Sequence, residues 1–194
     1  NYELIKKLSS ECNMPLCYGG GLNSINQVER IVSYGVEKVA LNSASFQKSN
    51  LISDAVKIFG SQSLVLSIDI KKSKVFRNNY EIYNKNKNKH LPEVLSHIIN
   101  MQKLGIGEIL VNSVDKDGTM IGYDFDLIDY IKPSIKVPFT IMGGARGYDD
   151  FKDLYKRYGL VGMAAGSTFV FSGKFRAVLI NYPNKKEKNN LFEV

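Results

Sequence analysis

The sequence predicts an α/β protein on a parallel sheet, a TIM-type (β/α)8 barrel, from three observations. Six short apolar runs alternate with helical patterns: 15-PLCY, 38-KVAL, 64-LVLSID, 108-EILVNS, 138-PFTIM and 162-GMAA. Strands that alternate with helices call for parallel pairing, because a parallel pair needs a long crossover that a helix supplies. The runs are nearly continuous in apolar character, as strands buried on both faces should be. Third, one strand–helix–strand segment occurs twice: 14-MPLCYGGGLNSINQVERIVSYGVEKVALNSASF runs parallel to 137-VPFTIMGGARGYDDFKDLYKRYGLVGMAAGSTF.

Each element has a local signal. Helical patterns span Ile25 to Tyr34, Leu51 to Phe59, Leu91 to Leu104, Phe125 to Ile131 and Tyr148 to Tyr158. Ser49 or Asn50 is expected to cap the second, and Asp149 and Asp150 place acid in the first turn of the last. The stretch 74-KVFRNNYEIYNKNKNK alternates Val75, Phe76, Tyr80 and Ile82 with polar residues. It predicts a hairpin insertion at about residues 71–90 in an otherwise single domain over 1–194.

The repeat sets the strand count. Pro15 matches Pro138, Gly20 and Gly21 match Gly143 and Gly144, and, after a one-residue slip, Gly35 matches Gly159 and Ser43 matches Ser167. The copies lie 123 to 124 residues apart, half of the roughly 250 residues of an eight-stranded barrel. They then hold strands 3 and 4 and strands 7 and 8, with 64-LVLSID and 108-EILVNS as strands 5 and 6. Strands 1 and 2 are expected ahead of Asn1, so the barrel is expected to be N-terminally incomplete. The absence of an initiator Met and a start inside a helical pattern agree with that. An open doubly wound sheet of six strands is the alternative.

Composition narrows the function classes. Of the 194 residues, 44% are hydrophobic and 23% charged, an ordinary globular balance. No apolar run approaches the roughly 18 residues of a membrane helix, and 1-NYELIKKLSSE has no signal core. Cys12 and Cys17 fit no metal or redox spacing, Cys17 is expected in the core, and a reducing cytoplasm is the default. The net charge of +7 suits nucleic acid or smaller anions. The lysines are scattered and no recognition motif accompanies them, which favours a phosphorylated small molecule over nucleic acid.

A barrel of this kind works at the C-terminal ends of its strands. Those ends carry Gly19, Gly20 and Gly21; Asn42 and Ser43; Asp69; the run 113-SVDKDGT; Gly143 and Gly144; and Gly166 and Ser167. A glycine pair lets backbone approach a phosphate without a Cβ between, and Ser43 or Ser167 can add a hydroxyl. One such turn alone is as well explained by tight strand–helix closure; two matched copies point to a ligand with a phosphate at each end. Asp69 is placed for proton transfer, or alternatively caps a helix or pairs with Lys71 or Lys72. Asp115 and Asp117 in 115-DKDG order a ligand or simply form a turn. His90 and His97 lie away from strand ends, and His97 reads as packing or surface. No metal cluster is visible.

The segments 19-GGG, 35-GVEKVALNS, 60-GSQSLVLSID, 105-GIGEILVNSVDKDGTMIGYD and 143-GGA resemble the cyclase subunit HisF of imidazole glycerol phosphate synthase. The related barrel HisA fits the DKDGT…GYD run less well. The resemblance implies a bisphosphorylated aminoimidazole ribonucleotide as substrate. It implies ammonia from a HisH-like glutaminase in a heterodimer, closure of an imidazole ring, release of an aminoimidazole carboxamide ribotide, and no cofactor or metal. It makes Asp69 one half of an acid–base pair whose other aspartate belongs to strand 1. It groups Gly21, Asn42, Ser43, Asp117 and Gly118 at one phosphate, and Gly143, Gly144, Gly166 and Ser167 at the other. Lys38 and Glu108 match charged residues at an ammonia gate, or form a routine strand-start ion pair. Two departures stand out. Met142 replaces the serine usual before the second glycine pair, and 166-GSTFVFSGKFRAVLINYP resembles a side branch. That branch acts with a HisH-like glutaminase and an amidotransferase in placing acetamidino groups on bacterial surface sugars.

Overall fold

The computed structural model describes residues 1–73, 80–83, 91–173 and 175–192. The chain falls into two compact units. The first comprises the described residues of Asn1–Ile68, Asn84–Leu110 and Ser134–Pro138; the second those of Asp69–Tyr83, Val111–Pro133 and Phe139–Val194.

The first unit opens with helix α1 (Tyr2–Glu11), strand β1 (Cys17–Gly19), helix α2 (Ile25–Val32) and strand β2 (Lys38–Leu41). Helix α2 starts where the sequence gives it a capping box: Ser24 accepts from the Gln27 N–H, and the Gln27 side chain reaches back to the Asn23 N–H at 2.8 Å. Short helix α3 (Ser43–Gln47) leads into α4 (Ser49–Phe59), then the first part of β3 (Leu64–Lys72). Strand β2 pairs in parallel with both β1 and β3, Ala40 standing opposite Gly19 and Val65. The expected cap of α4 at Ser49 or Asn50 is not formed: Lys48 occupies the N-cap without a side-chain bond. Helix α3 ends one residue earlier, and its Ala44 carbonyl takes the Lys48 N–H, so the chain enters α4 directly.

Helix α5 is Val94–Lys103, three residues later in starting than expected. Pro92 holds Leu91 out of helical geometry, and Glu93 caps the helix by accepting from Leu95 and Ser96 N–H groups. Strand β5 (Glu108–Ser113) begins beside β3, since Gly107 N–H donates to Leu64 O at 3.3 Å. Val28, Ile31, Val39, Ile52, Leu64, Leu66 and Ile98 are fully or nearly fully buried and make this unit's core.

The second unit holds the ends of β3 and β5, β4 (Tyr80–Ile82), α6 (Phe125–Ile131), β6 (Phe139–Met142), α7 (Tyr148–Tyr158) and β7 (Gly162–Ala164). It closes with α8 (Ser167–Val170), the small hairpin β8 (Phe171–Ser172) and β9 (Ala177–Val178), and α9 (Lys185–Phe192). Strands β6 and β7 are parallel, with Met142 opposite Ala164. Strand β4 pairs antiparallel with β3, Ile82 against Ile70; residues 74–79 and 84–90 of the expected insertion lie outside the described residues. Asp124 caps α6 by accepting from Leu127 N–H. Ile70, Val111, Leu127, Ile128, Ile131, Ile141 and Leu154 are all fully buried here.

The strands hydrogen-bond in the order β1-β2-β3-β5-β6-β7, with β4 added on β3. The parallel members follow chain order without reversal. A doubly wound sheet reverses its strand order at a switch point, so that alternative does not describe this α/β sheet. Cys17, expected in the core, is exposed. Among the described residues β1 pairs with β2 alone, which leaves one flank of Cys17 without a neighbouring strand.

Candidate functional site

In the first unit a cavity of about 580 Å³ opens at the C-terminal ends of β1 and β2. Gly19, Gly20, Gly21, Asn42 and Ser43, all candidates from the sequence, line it. Gly20 (φ 132°) and Gly21 (φ 72°) both take the left-handed side of backbone space, and no atom lies within 4 Å of where a Cβ would stand. These glycines are therefore required by backbone geometry, not by crowding. Ser67 also lines the cavity and shares one face of β3 with Asp69 and Lys71, while Ile68 and Ile70 fill the opposite, buried face. Sequence reasoning missed Lys48, which lines the cavity and donates to Asn23 O at 2.7 Å. It brings a positive charge to a cavity otherwise lined by neutral residues.

In the second unit a cavity of about 140 Å³ is lined by Asp117, Gly118, Met142, Gly143, Gly144, Gly166 and Ser167, among others. Asp117 and Gly118, which the resemblance groups with Gly21, thus line one cavity with the second glycine pair. The cause is the turn after β5: Lys116 and Asp117 N–H groups both donate to Ser113 O, folding the loop back over its own strand end. Met120, in a left-handed conformation (φ 56°), also lines this cavity. Among the described residues its lining has no lysine or arginine and does contain the Asp117 carboxylate. The two cavities share a backbone plan but differ in charge. Asp115 serves a different purpose, accepting the Lys72 N–H at 2.7 Å and tying the end of β3 to the loop.

Asp69 accepts a hydrogen bond from Asn112 Nδ2 at 3.0 Å. Lys71 pairs with Glu81 at 2.9 Å and Lys72 with Asp126 at 3.6 Å, so each lysine proposed as an Asp69 partner has an acid of its own. Asn112, whose Oδ1 is buried without a hydrogen bond, was not singled out in the sequence. Beside it, Ser113 donates to the buried Asp124 at 3.1 Å. The signal for Asp124 was its position just ahead of 125-FDLIDYI, where a helix cap belongs.

At the start of β2 and β5, Lys38 Nζ and Glu108 Oε2 are 2.5 Å apart, both side chains partly exposed. His97 is 3% exposed, its Nε2 lies 3.0 Å from Ser45 Oγ and its ring stacks on Phe46. Burial lowers its pKa to about 4. The unfolded chain, with an ordinary histidine near 6.5, takes up this proton first as pH falls. The native state is therefore expected to lose up to about 3 kcal/mol from this group between pH 6.5 and 4, and nothing above 6.5. Urea unfolding across that range checks it: His97→Phe is expected to flatten that part of the stability profile.

Among the described residues no group of histidine, cysteine, aspartate or glutamate is arranged to hold a metal ion. No helix among the described residues is long and apolar enough to cross a membrane. Parallel strands in chain order, alternating with helices and with glycine-turn cavities at strand ends, define an α/β protein of the (β/α) class. The chain belongs to the histidine biosynthesis protein family, whose model matches residues 1–176.

Its relatives include a protein of Leptospira borgpetersenii provisionally named imidazole glycerol phosphate synthase subunit HisF. That protein is 45% identical over 99% of this chain and 76% of its own length. A Vibrio vulnificus protein with the same provisional name, distinguished as hisF3, is 44% identical over 100% of this chain and 75% of its own. The Sulfolobus acidocaldarius imidazole glycerol phosphate synthase subunit HisF is 34% identical over 79% of this chain and 61% of its own length.

Proposed function

We propose that the chain is a HisF-type cyclase subunit in histidine biosynthesis, built on a (β/α)8 barrel whose third to eighth strands are β1, β2, β3, β5, β6 and β7. It uses ammonia to convert a bisphosphorylated aminoimidazole ribonucleotide to imidazole glycerol phosphate and an aminoimidazole carboxamide ribotide. The observation that carries this reading is a glycine-turn cavity in each unit, together with Asp69, which lies within β3 three residues before its end rather than closing the strand as the sequence run suggests. Two cavities of one backbone plan are what a bisphosphorylated ligand calls for. Backbone N–H groups of Gly20 and Gly21, the Ser43 hydroxyl and Lys48 supply donors in one; Gly143, Gly144 and Ser167 supply them in the other. Asp69, held by Asn112, moves protons as the ring closes. Lys38 and Glu108 serve as the gate through which ammonia from a HisH-like glutaminase enters, in a cytoplasmic heterodimer.

A second reading has its own support. Met142 and Met120 line the second cavity, and Asp117 makes it unfavourable for a phosphate. The provisionally named relatives also align over 99–100% of the chain, against 79% for the Sulfolobus HisF. With the resemblance of 166-GSTFVFSGKFRAVLINYP to the side branch, the cavity lining supports the reading of an ammonia-supplying subunit acting with a glutaminase and an amidotransferase on surface sugars.

Steady-state turnover of the ribonucleotide by the full-length protein, driven by ammonium salts, tests the first reading. Production of both products, and rescue of a HisF-deficient strain without histidine, are expected. Absence of turnover together with failed rescue favours the sugar-modifying role.

A further inference from the structure

We propose that His97 is a positioning residue for the cavity of the first unit, acting through Ser45 on the Asn42–Ser43 turn. The inference rests on reading that cavity as a phosphate site.

Helix α5 buries Val94, His97, Ile98 and Met101 on one stripe. Three are apolar; an imidazole among them is tolerated only if its polar atoms find partners. Its Nε2 meets Ser45 Oγ at 3.0 Å. The Ser45 hydroxyl donates to Asn42 O at 2.6 Å. A hydroxyl has one proton to donate, so the imidazole must be the donor in the first bond, with its proton on Nε2. The lowered pKa keeps the ring neutral at pH 7.

The consequence falls on Asn42. Its carbonyl accepts from both the N–H and the Oγ of buried Ser45, at 2.9 and 2.6 Å. Ser45 does not line the cavity, whereas Asn42 and Ser43 do. The two hydrogen bonds from Ser45 therefore hold the Asn42 oxygen toward the protein and away from the cavity. A carbonyl oxygen facing the cavity would repel a phosphate; one turned inward leaves the Ser43 end of the peptide toward it. Phe46 stacks on the imidazole with ring centroids 4.6 Å apart and fixes the plane from which Nε2 donates.

The test uses inorganic phosphate, titrated by calorimetry into the full-length protein and its variants. His97→Phe keeps the stack and removes the donor; His97→Gln restores an amide N–H near the Nε2 position. Loss of one buried bond of this kind is expected to weaken phosphate about tenfold in His97→Phe and Ser45→Ala, with His97→Gln close to wild type. In the unliganded protein, hydrogen exchange of the Ser45 N–H is expected to quicken in His97→Phe but not in His97→Gln. Ser45→Ala stands in if His97→Phe does not fold. Gly21→Ala and Ser43→Ala serve as controls on the cavity itself. If the controls weaken phosphate while His97→Phe and Ser45→Ala do not, the positioning role is overturned and the phosphate site stands. If the wild type binds no phosphate, or the controls bind it undiminished, both fall. Equal losses in His97→Phe and His97→Gln reduce His97 to a space-filling role and also overturn the proposal.

Discussion

Asparagine at position 69 is expected to lower turnover of the bisphosphorylated ribonucleotide with ammonium salts by about two to four orders of magnitude, the usual loss when a positioned acid–base group is removed. The side chain keeps its shape, and an asparagine oxygen still accepts from Asn112 Nδ2, as Asp69 Oδ1 does at 3.0 Å. Folding should therefore be little changed, and the loss should fall on kcat with KM nearly constant. Asn112→Ala is expected to do less, since it frees the Asp69 carboxylate without removing it. Thermal unfolding of both variants separates chemistry from stability. Turnover by Asp69→Asn at the wild-type rate would remove Asp69 from the mechanism. A purely structural role for Asp69 predicts the reverse pattern: a drop in stability and unchanged kinetics.

The strands were legible because burial on both faces leaves a continuous apolar run, which few other contexts produce. Lys38–Leu41 and Glu108–Ser113 coincide with their sequence runs for that reason. Helix starts were legible where the capping group is local. The expected starts at Ile25 and Phe125 coincide with those of α2 and α6, where Ser24 and Asp124 cap from the position just ahead. At α4 the expected Ser49 or Asn50 cap gave way to a tertiary circumstance, the close succession of α3 and α4, which no single window of sequence contains.

The same division holds at the site. Gly20, Gly21, Asn42 and Ser43 meet at one cavity because each ends a neighbouring strand, and strand ends are readable. The partners that orient them are not. Asn112 donates to Asp69 from 43 positions away, and Ser45 meets His97 across 52. Such pairs depend on register between strands and on how a helix packs, neither of which leaves a mark on the sequence of either partner alone. The place of Asp117 and Gly118 beside the second glycine pair was illegible for a related reason. Their loop folds back on Ser113 through backbone bonds, which carry no residue signature.

The two glycine pairs read alike in the sequence, yet alanine is expected to act very differently at each. A Cβ at Gly144 would stand 2.3 Å from the Gly122 carbonyl oxygen and 3.0 Å from Lys116 Cβ, at φ 97°. The contact cannot relax easily, because Gly122 N–H donates to Gly144 O at 2.8 Å and holds the two loops together. Left-handed strain and overpacking together are expected to cost Gly144→Ala about 2–5 kcal/mol of stability. At Gly21 nothing lies within 4 Å of the added methyl, so only the φ of 72° penalises it, at about 1–2 kcal/mol. Urea unfolding of the two variants measures the difference. Phosphate titration should show the complement: Gly21→Ala places its methyl in the open cavity of the first unit and weakens binding there while the protein remains folded. Wild-type stability in Gly144→Ala would refute the close approach of these loops. Tight closure of a strand–helix turn and room for a phosphate are thus separable demands on glycine. Closure is sufficient to require Gly144, whereas Gly21 has no neighbour to crowd it, which leaves backbone conformation and the ligand as the reasons for its lack of a side chain.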